Sequence, residues 1–345
     1  MKLDKDKEKQ DYFRIYTLLY KGAPKMDYLK AYYRVFICNM PQIYKKWKNI
    51  PTAKKAFSVV LADMWILITK YHGLSVIYQD VNKFIDEYFT ERIHEPHRSI
   101  HEYLLELEAI HLISISSYNH LAQIKKIDNK ESGWHFLTNK KLPTTKRIGY
   151  IVSSQNKLLW QSTTGEQLSI EELFNNHKRI FTKPDDACQG VGCGVLEISS
   201  SGAFMLNGKA KSRQELLQHF SKPFIVEEII QQKDFAAAPH KNSLNTLRII
   251  TFKRKDGEIF VERAIFRMGT NGSTTDNWCT GGIAVKVNDN GELDEYGYFH
   301  NPDIAPCKKH PDSGLTFKGY KISDYEDAKK LVLKAHSCLR INAVG

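Results

Sequence analysis

Between about residues 10 and 125, apolar positions recur at intervals of three and four. The stretches "YLKAYYRVFICNMPQIYKKW", "AKKAFSVVLADMWILITKYH" and "SIHEYLLELEAIHLISISSYNHLAQIKKI" carry this period, with Pro and Gly only near their breaks. Such spacing predicts amphipathic helices. The aromatic positions Tyr28, Tyr32, Tyr33 and Phe36 read as helical core rather than as a ligand-binding stripe. From about residue 146 the pattern shifts to short β-branched runs separated by turns. "RIGYIVSS" and "KLLWQS" read as strands, and Ser169 with Glu172 opens a helix through a capping box. The pattern partly repeats as "GVLEIS", "AFMLNG" and a second box, Ser212 with Glu215. "PFIVEEII" reads as the next strand. "LNTLRIITFKR" and "EIFVERAIFRMG" follow as a hairpin through Lys255-Asp256-Gly257, then "IAVKV" as a strand, and a third box, Ser323 with Glu326, opens a last helix. The chain is therefore a helical N-terminal region followed by an α+β portion.

At 345 residues, two or three domains are expected. Hydrophobic residues make up 42% and charged ones 26%, the balance of a chain that buries sizeable cores. No run approaches the ~18 apolar residues of a membrane span; the nearest, "FSVVLADMWILITKYHGLSVIY", is broken by Asp63, Lys70 and His72. The N-terminus lacks the apolar centre of a secretory signal, so a cytoplasmic location is the default. Six scattered cysteines without CxxC spacing suggest neither a zinc site nor a disulfide framework. His94, His97, His101 and His111 lack the paired spacing of a zinc helix and read as ordinary polar residues.

The net charge of +11 is uneven: residues 1–60 hold 14 Lys/Arg against 5 Asp/Glu. That segment reads either as a solvated helical face or as a surface for anionic lipid or an acidic protein, which would place the chain at the inner face of the membrane. Nothing matches a nucleic-acid module.

Candidate chemistry gathers in the second half. "FTKPDDACQGVGCGVLEI" sets Lys183 before Gly190, Gly192 and Gly194. A phosphate site needs a cation, inward backbone N–H groups and no obstructing side chains, which this stretch can supply. A glycine-rich hairpin beside a surface lysine fits it too, and it is neither a Walker A loop nor a Rossmann fingerprint. In "PFIVEEIIQQ" two adjacent carboxylates, Glu227 and Glu228, interrupt an apolar strand. Buried charge is costly without partners, so they mark either a strand end at a hinge or a hydrogen bond to a ligand such as an adenine amino group.

Taken in order, "KLPTTKRIGYI", "IFTKPDDACQGVGCGVLEI", "FIVEEIIQQ", "SLNTLRIITF", "AIFRMGTNGSTTDNWCTGGIAVKV" and "HPDSGLTFKGYKI" resemble the ATP-grasp superfamily, in particular its sugar-transfer-associated family, over roughly residues 140–325. The resemblance implies two α+β subdomains clasping ATP, with a helical, basic region over residues 1–125. A pre-grasp segment and lid subdomain would span 126–226, and a C-terminal subdomain 227–345. It implies that Lys183 meets the α- and β-phosphates under the loop of Gly190, Gly192 and Gly194. Glu227 and the backbone near Glu228 and Ile230 would hold adenine, and Asp234 the ribose. Arg248 would neutralise transferred phosphate, with Asn277, Gly281 and Gly282 lining the reaction centre. Read alone, Arg248 and Arg267 also fit a solvated strand face, and Asp276-Asn277 a turn.

The reaction so implied is a carboxylate–amine or similar ligation through an acyl-phosphate, with ATP and Mg²⁺ as cofactors and surface-polysaccharide biosynthesis as the setting. The carboxylate and amine substrates stay unnamed. In the family the metal ligands follow a segment matching "SDYEDAKKLVLKAH", and this sequence ends at Gly345 before them. The expectation is a C-terminal truncation with the metal ligands unassigned; a nucleotide-binding remnant without catalysis is the alternative. A protein that docks through its basic N-terminal segment is a further one.

Overall fold

The computed structural model describes residues 25–50, 54–69, 81–93, 96–102, 127, 129–185, 192–301, 304–341, 343 and 344. The chain divides into two units, Met1–Asn119 with Tyr298–Cys307, and His120–Gly297 with Lys308–Gly345.

The first unit is helical. Helix α1 (Lys25–Tyr32) continues through a π-helical turn (Tyr33–Cys38) into α2 (Met40–Asn49), whose Pro41 lies in the first turn, where a missing N–H costs nothing. Helices α3 (Phe57–Thr69) and α4 (Val81–Glu91) follow. Val35, Ile43, Val60, Met64, Ile85 and Tyr88 form the core. Asp63 sits buried on the apolar α3 because the Lys55 amine and the Tyr88 hydroxyl each donate to it at 2.8 Å. The aromatic run expected to be core splits. Tyr28 and Phe36 pack against the buried residues, whereas Tyr32 and Tyr33 are exposed. Most of the third periodic stretch, residues 103–126, lies outside the described residues, as do His94 and His111.

In the second unit, α5 (Lys130–Asn139) is capped by Asn129, which accepts from the N–H groups of Glu131 and Ser132. The elements β1 (Arg147–Ser154), β2 (Lys157–Ser162), β3 (Gln167–Ser169), α6 (Ile170–Asn176), β4 (Arg179–Pro184), β5 (Gly194–Ile198), β6 (Phe204–Leu206), β7 (Lys209–Ala210), α7 (Arg213–His219) and β8 (Phe224–Glu227) follow. Their strands make an eight-stranded sheet in the order β3-β2-β1-β8-β4-β5-β6-β7. Both capping boxes, Ser169–Glu172 and Ser212–Glu215, form. They seat α6 and α7 so that Ile170, Leu173 and Leu216 join Ile151, Ile180 and Val226 in one core. Strand β8 is flanked by β1 and β4 and buried throughout, which accounts for its unbroken apolar run.

A one-turn helix α8 (Asp234–Ala237) leads to β9 (Thr246–Lys253), β10 (Ile259–Met268), β11 (Ile283–Val287) and β12 (Leu293–Phe299). After α9 (Tyr325–Ser337) comes β13 (Ala343–Val344), and the second sheet runs β12-β11-β10-β9-β13. One face, with Ile249, Ala264, Phe266, Met268, Ile283 and Val285, is buried. Thr251 on that face meets His336 of α9, hydroxyl to Nδ1, at 2.8 Å. The α+β character and the helical N-terminal region match the sequence pattern. The third capping box does not form. Asp324 takes the N-cap position without a side-chain cap bond, and its carboxylate pairs with Lys233 instead. Strand β8 also stops at Glu227, short of the Ile230 expected, and β12 and β13 arise where no strand was anticipated.

Candidate functional site

Glu227 ends the central strand of the first sheet, and its side chain is 3% exposed. The Lys183 amine on the neighbouring β4 lies 2.8 Å from either carboxylate oxygen, and the Thr145 hydroxyl donates to Oε1 at 2.6 Å. A carboxylate aimed at adenine by the sequence thus already holds two donors, one of them the lysine aimed at phosphate. Beyond the strand, Glu228 is tied to Lys146 twice: its N–H donates to the Lys146 carbonyl at 2.9 Å, and its carboxylate pairs with the Lys146 amine at 2.6 Å. Ile230 and Asp234 are both exposed, the latter opening α8.

Two further groups at this strand end escaped the sequence reading. The Lys130 amine of α5 donates to the carbonyls of Pro184 and Asp185 at 3.0 Å, holding the backbone just past Lys183. Burial pushes the Cys193 thiol pKa up, opposed by the nearby charges of Lys130 and Lys183. The Lys130 contact is invisible in sequence because its partners lie 54 and 55 residues away, and the burial of Cys193 depends on how the chain packs. Gly190 lies outside the described residues. Gly192 has φ +75°, and a Cβ there would press on Pro184 at 3.0 Å. A Cβ on Gly194 would come within 2.8 Å of the Asn207 amide, whose oxygen accepts from the Val195 N–H. Both glycines have local packing reasons as well as any ligand's.

The open face of the second sheet is strongly basic. Arg248 of β9 stands opposite Ile265 of β10, which stands opposite Lys286 of β11. Arg263 and Arg267 lie two residues either side of Ile265 on the same face. Among the described residues, Arg248, Arg263 and Lys286 make no ion pair and are exposed. Arg267 differs: it donates to Asp276 Oδ1 at 3.2 Å and to Thr246 Oγ1 at 3.1–3.2 Å, while the Thr246 hydroxyl donates to Asp276.

Asp276 opens the segment that carries the remaining sequence-predicted residues. Asn277 caps a short 3-10 turn (Trp278–Thr280) by accepting from the Cys279 N–H at 3.1 Å. Gly281 closes that turn at φ +106°, and a Cβ on Gly282 would approach the Asp276 carbonyl to 2.6 Å. The loop is held from behind by a buried polar cluster. Asn245 donates to the carbonyls of Ala236 and His240 at 2.7 and 2.9 Å. Its oxygen accepts from the Ser243 hydroxyl at 2.6 Å and from the Gly269 N–H at 3.2 Å. His310 meets the Gly269 carbonyl at 2.9 Å, and burial, ahead of weaker opposing contacts, lowers its pKa. So the "NTLRI" motif divides its labour: Asn245 and Thr246 fix the loop, and Arg248 faces outward.

Among the described residues, no group of three or more His, Cys, Asp or Glu is placed to hold a metal. Asp276, the buried carboxylate of this loop, is committed to Arg267 and Thr246, so these residues do not make a magnesium site and none is assigned. The described residues also include no helix long and apolar enough to cross a membrane.

The sequence profile of sugar-transfer-associated ATP-grasp proteins matches residues 113–345. Against curated protein sequences the chain has no match. Among solved structures it is similar to an N5-carboxyaminoimidazole synthetase from Staphylococcus aureus complexed with ADP, at 11% identity and TM-score 0.34, over 64% of this chain and 40% of that one. It is also similar to a D-alanyl-alanine synthetase A from Vibrio cholerae, at 10% identity and TM-score 0.25, over 61% of this chain and 63% of that one. The chain thus spans less than two thirds of either protein.

Proposed function

Because the chain belongs to the sugar-transfer-associated ATP-grasp family, we propose that its β-rich unit binds ATP and spends the γ-phosphate on activating a carboxylate. A carboxylate oxygen attacks the γ-phosphorus, the bond to the β,γ-bridging oxygen breaks, and ADP leaves. An amine or similar nucleophile then attacks the acyl carbon; the bond to phosphate breaks, inorganic phosphate departs, and the nitrogen loses a proton. Catalysis in such steps is chiefly positioning and charge neutralisation.

The observation that carries this reading is the cationic face around Ile265. Three exposed cations, Arg248, Arg263 and Lys286, cluster there without ion pairs among the described residues. Arg263 lies diagonal to Arg248 and to Lys286, so an anion on this face would be attracted by all three. In this proposal Arg248 meets the transferred phosphate, while Asn277, Gly281 and Gly282 line the reacting carboxylate. Lys183 meets the α- and β-phosphates beneath the loop of Gly190, Gly192 and Gly194. Glu227 acts by holding Lys183, and adenine falls to the backbone of Glu228 and Ile230, with Asp234 at the ribose. Mg²⁺ is the metal such chemistry draws on when bound, offsetting phosphate charge; no step here is assigned through it. A setting in surface-polysaccharide biosynthesis rests on the family's name alone.

Calorimetric titration with ATP, with and without Mg²⁺, tests the reading. Arg248→Ala, at an exposed and unpaired position, should keep its melting temperature yet lose at least about tenfold in ATP affinity or turnover, equivalent to ~1.4 kcal/mol. Unchanged affinity and turnover would remove Arg248 from the site. Binding without ADP release on any carboxylate and amine pair would instead support a nucleotide-binding protein that no longer catalyses.

A further inference from the structure

Among the described residues of the helical unit, one apolar face lies outside the buried core. Met26, Leu29, Tyr33 and Ile37 recur at intervals of three, four and four, and are 62, 60, 58 and 56% exposed. That spacing sets them in one stripe along α1 and the π-helical turn, while Ala31 and Val35 on the opposite side are buried. The stripe continues onto α3, where Tyr32 meets the exposed Trp65 edge-to-face at 5.7 Å. The outward positions of α3 carry no charge, since its one ionisable residue, Asp63, is buried and paired.

The charge of the segment that carries the stripe is predominantly positive. Residues 25–60 contain eight Lys/Arg and a single acid, Asp27. Two of the cations, Lys46 and Lys55, are buried against Asp86 and Asp63, and the Lys54 amine is bound by the carbonyls of Trp47 and Ile50. Lys30 and Arg34 are exposed on the flank of the stripe, and Lys45 and Lys48 are exposed on α2.

We propose that this face docks on an anionic lipid bilayer, the stripe entering the interfacial layer while the cations meet the headgroups. Aromatic and aliphatic side chains beside Lys and Arg on one surface match a boundary where acyl carbon lies just beneath negative charge. A second copy of the chain is the poorer occupant. A twofold contact would bring together two copies of a segment with eight Lys/Arg to one acid.

The test is co-sedimentation of the full chain with vesicles of phosphatidylcholine alone and of phosphatidylcholine with about one-third phosphatidylglycerol. Binding to the anionic vesicles should be at least about tenfold the stronger and should weaken as salt is raised. The double variant Leu29→Glu/Tyr33→Glu, at exposed positions, should retain its helical circular dichroism and ATP affinity but lose vesicle binding by about tenfold or more. Equal retention of wild type and variant on the vesicles overturns the proposal, as does failure of the wild type to prefer anionic lipid. Self-association abolished by the same variant, seen by sedimentation without lipid preference, would assign the face to a second copy and overturn it likewise. Retained ATP affinity in the variant keeps this outcome separate from the ligase reading.

Discussion

The pairing of Lys183 with Glu227 supports a double-mutant cycle whose outcome can be worked from the structure. Glu227 is almost fully buried and accepts from two side chains, Lys183 and Thr145. Lys183→Met keeps most of the aliphatic stem but leaves a buried carboxylate with a single hydroxyl donor. Breaking a buried pair in this way costs about 3–5 kcal/mol. Because Lys183 is 21% exposed and Thr145 stays in place, the low end, about 3 kcal/mol, is expected. Glu227→Gln keeps the shape and the Thr145 contact, and the lysine can recover water, so the cost falls to about 1 kcal/mol. The double variant buries no charge, so it should lose only about 1–2 kcal/mol, a coupling of about 2–3 kcal/mol. Urea unfolding of the four proteins, read as the product of midpoint and slope, gives each value. Single costs that add to the double within about 0.5 kcal/mol would show that the two side chains do not pair in solution, and the link from Glu227 to phosphate through Lys183 would fall with them.

Gly282→Ala should cost about 1–3 kcal/mol and displace the Asn277 turn, because its Cβ would lie 2.6 Å from the Asp276 carbonyl; a melting temperature equal to wild type would refute this. Asn245→Ala strips its donor from the Ala236 and His240 carbonyls and removes one of the two acceptors of the Gly269 N–H, which keeps Ser243, so about 2–3 kcal/mol of stability should go, measured by the same urea titration. Burial lowers the pKa of His310, so the unfolded chain takes up its proton near the ordinary value of 6.5 and the folded chain only at lower pH. The stability it contributes is therefore full above about pH 6.5 and is lost as pH falls through the depressed value. His219, also lowered by burial, acts in the same direction. His310→Gln should flatten the fall of the urea midpoint between about pH 8 and about pH 5, and an unaltered slope would show that His310 does not titrate with folding.

The elements that sequence marked best are those whose signals are local. The capping boxes at Ser169 and Ser212 need only four consecutive residues, and both form. The same spacing at Ser323 fails because a long-range contact intervenes. Lys233, 91 residues away, takes the Asp324 carboxylate, and Asp324 rather than Ser323 becomes the cap position. The hairpin through Asp256-Gly257 is likewise local, with Gly257 at φ +95°. Strand β13 escaped because two residues carry no period, and only their pairing to Phe252 and Thr251 makes them a strand. At the candidate site the residue types were legible, but not their pairings. Glu227 reads as an exposed or ligand-seeking charge until Lys183 and Thr145, 44 and 82 residues distant, are brought to it.

What remains after such pairing is the more informative part of the surface. Asp63, Glu227 and Arg267 all break an apolar context in sequence, and the fold answers each with named partners, Asp276 being the one for Arg267. Burial of those charges is accounted for by the partners that satisfy them. Arg248, Arg263 and Lys286 are different, since alternation along β9, β10 and β11 gathers them on one open face and gives them no carboxylate among the described residues. Arg263 lies diagonal to both Arg248 and Lys286 across the neighbouring strands, so the three positive charges share one face without stabilising one another. A chain that needed only a solvated sheet face would do better with mixed signs. An anion on the face would draw on all three charges at once, and so Arg248, without an ion pair among the described residues, rather than the buried Asn245 of the same motif, is the residue through which the proposed function is most directly tested.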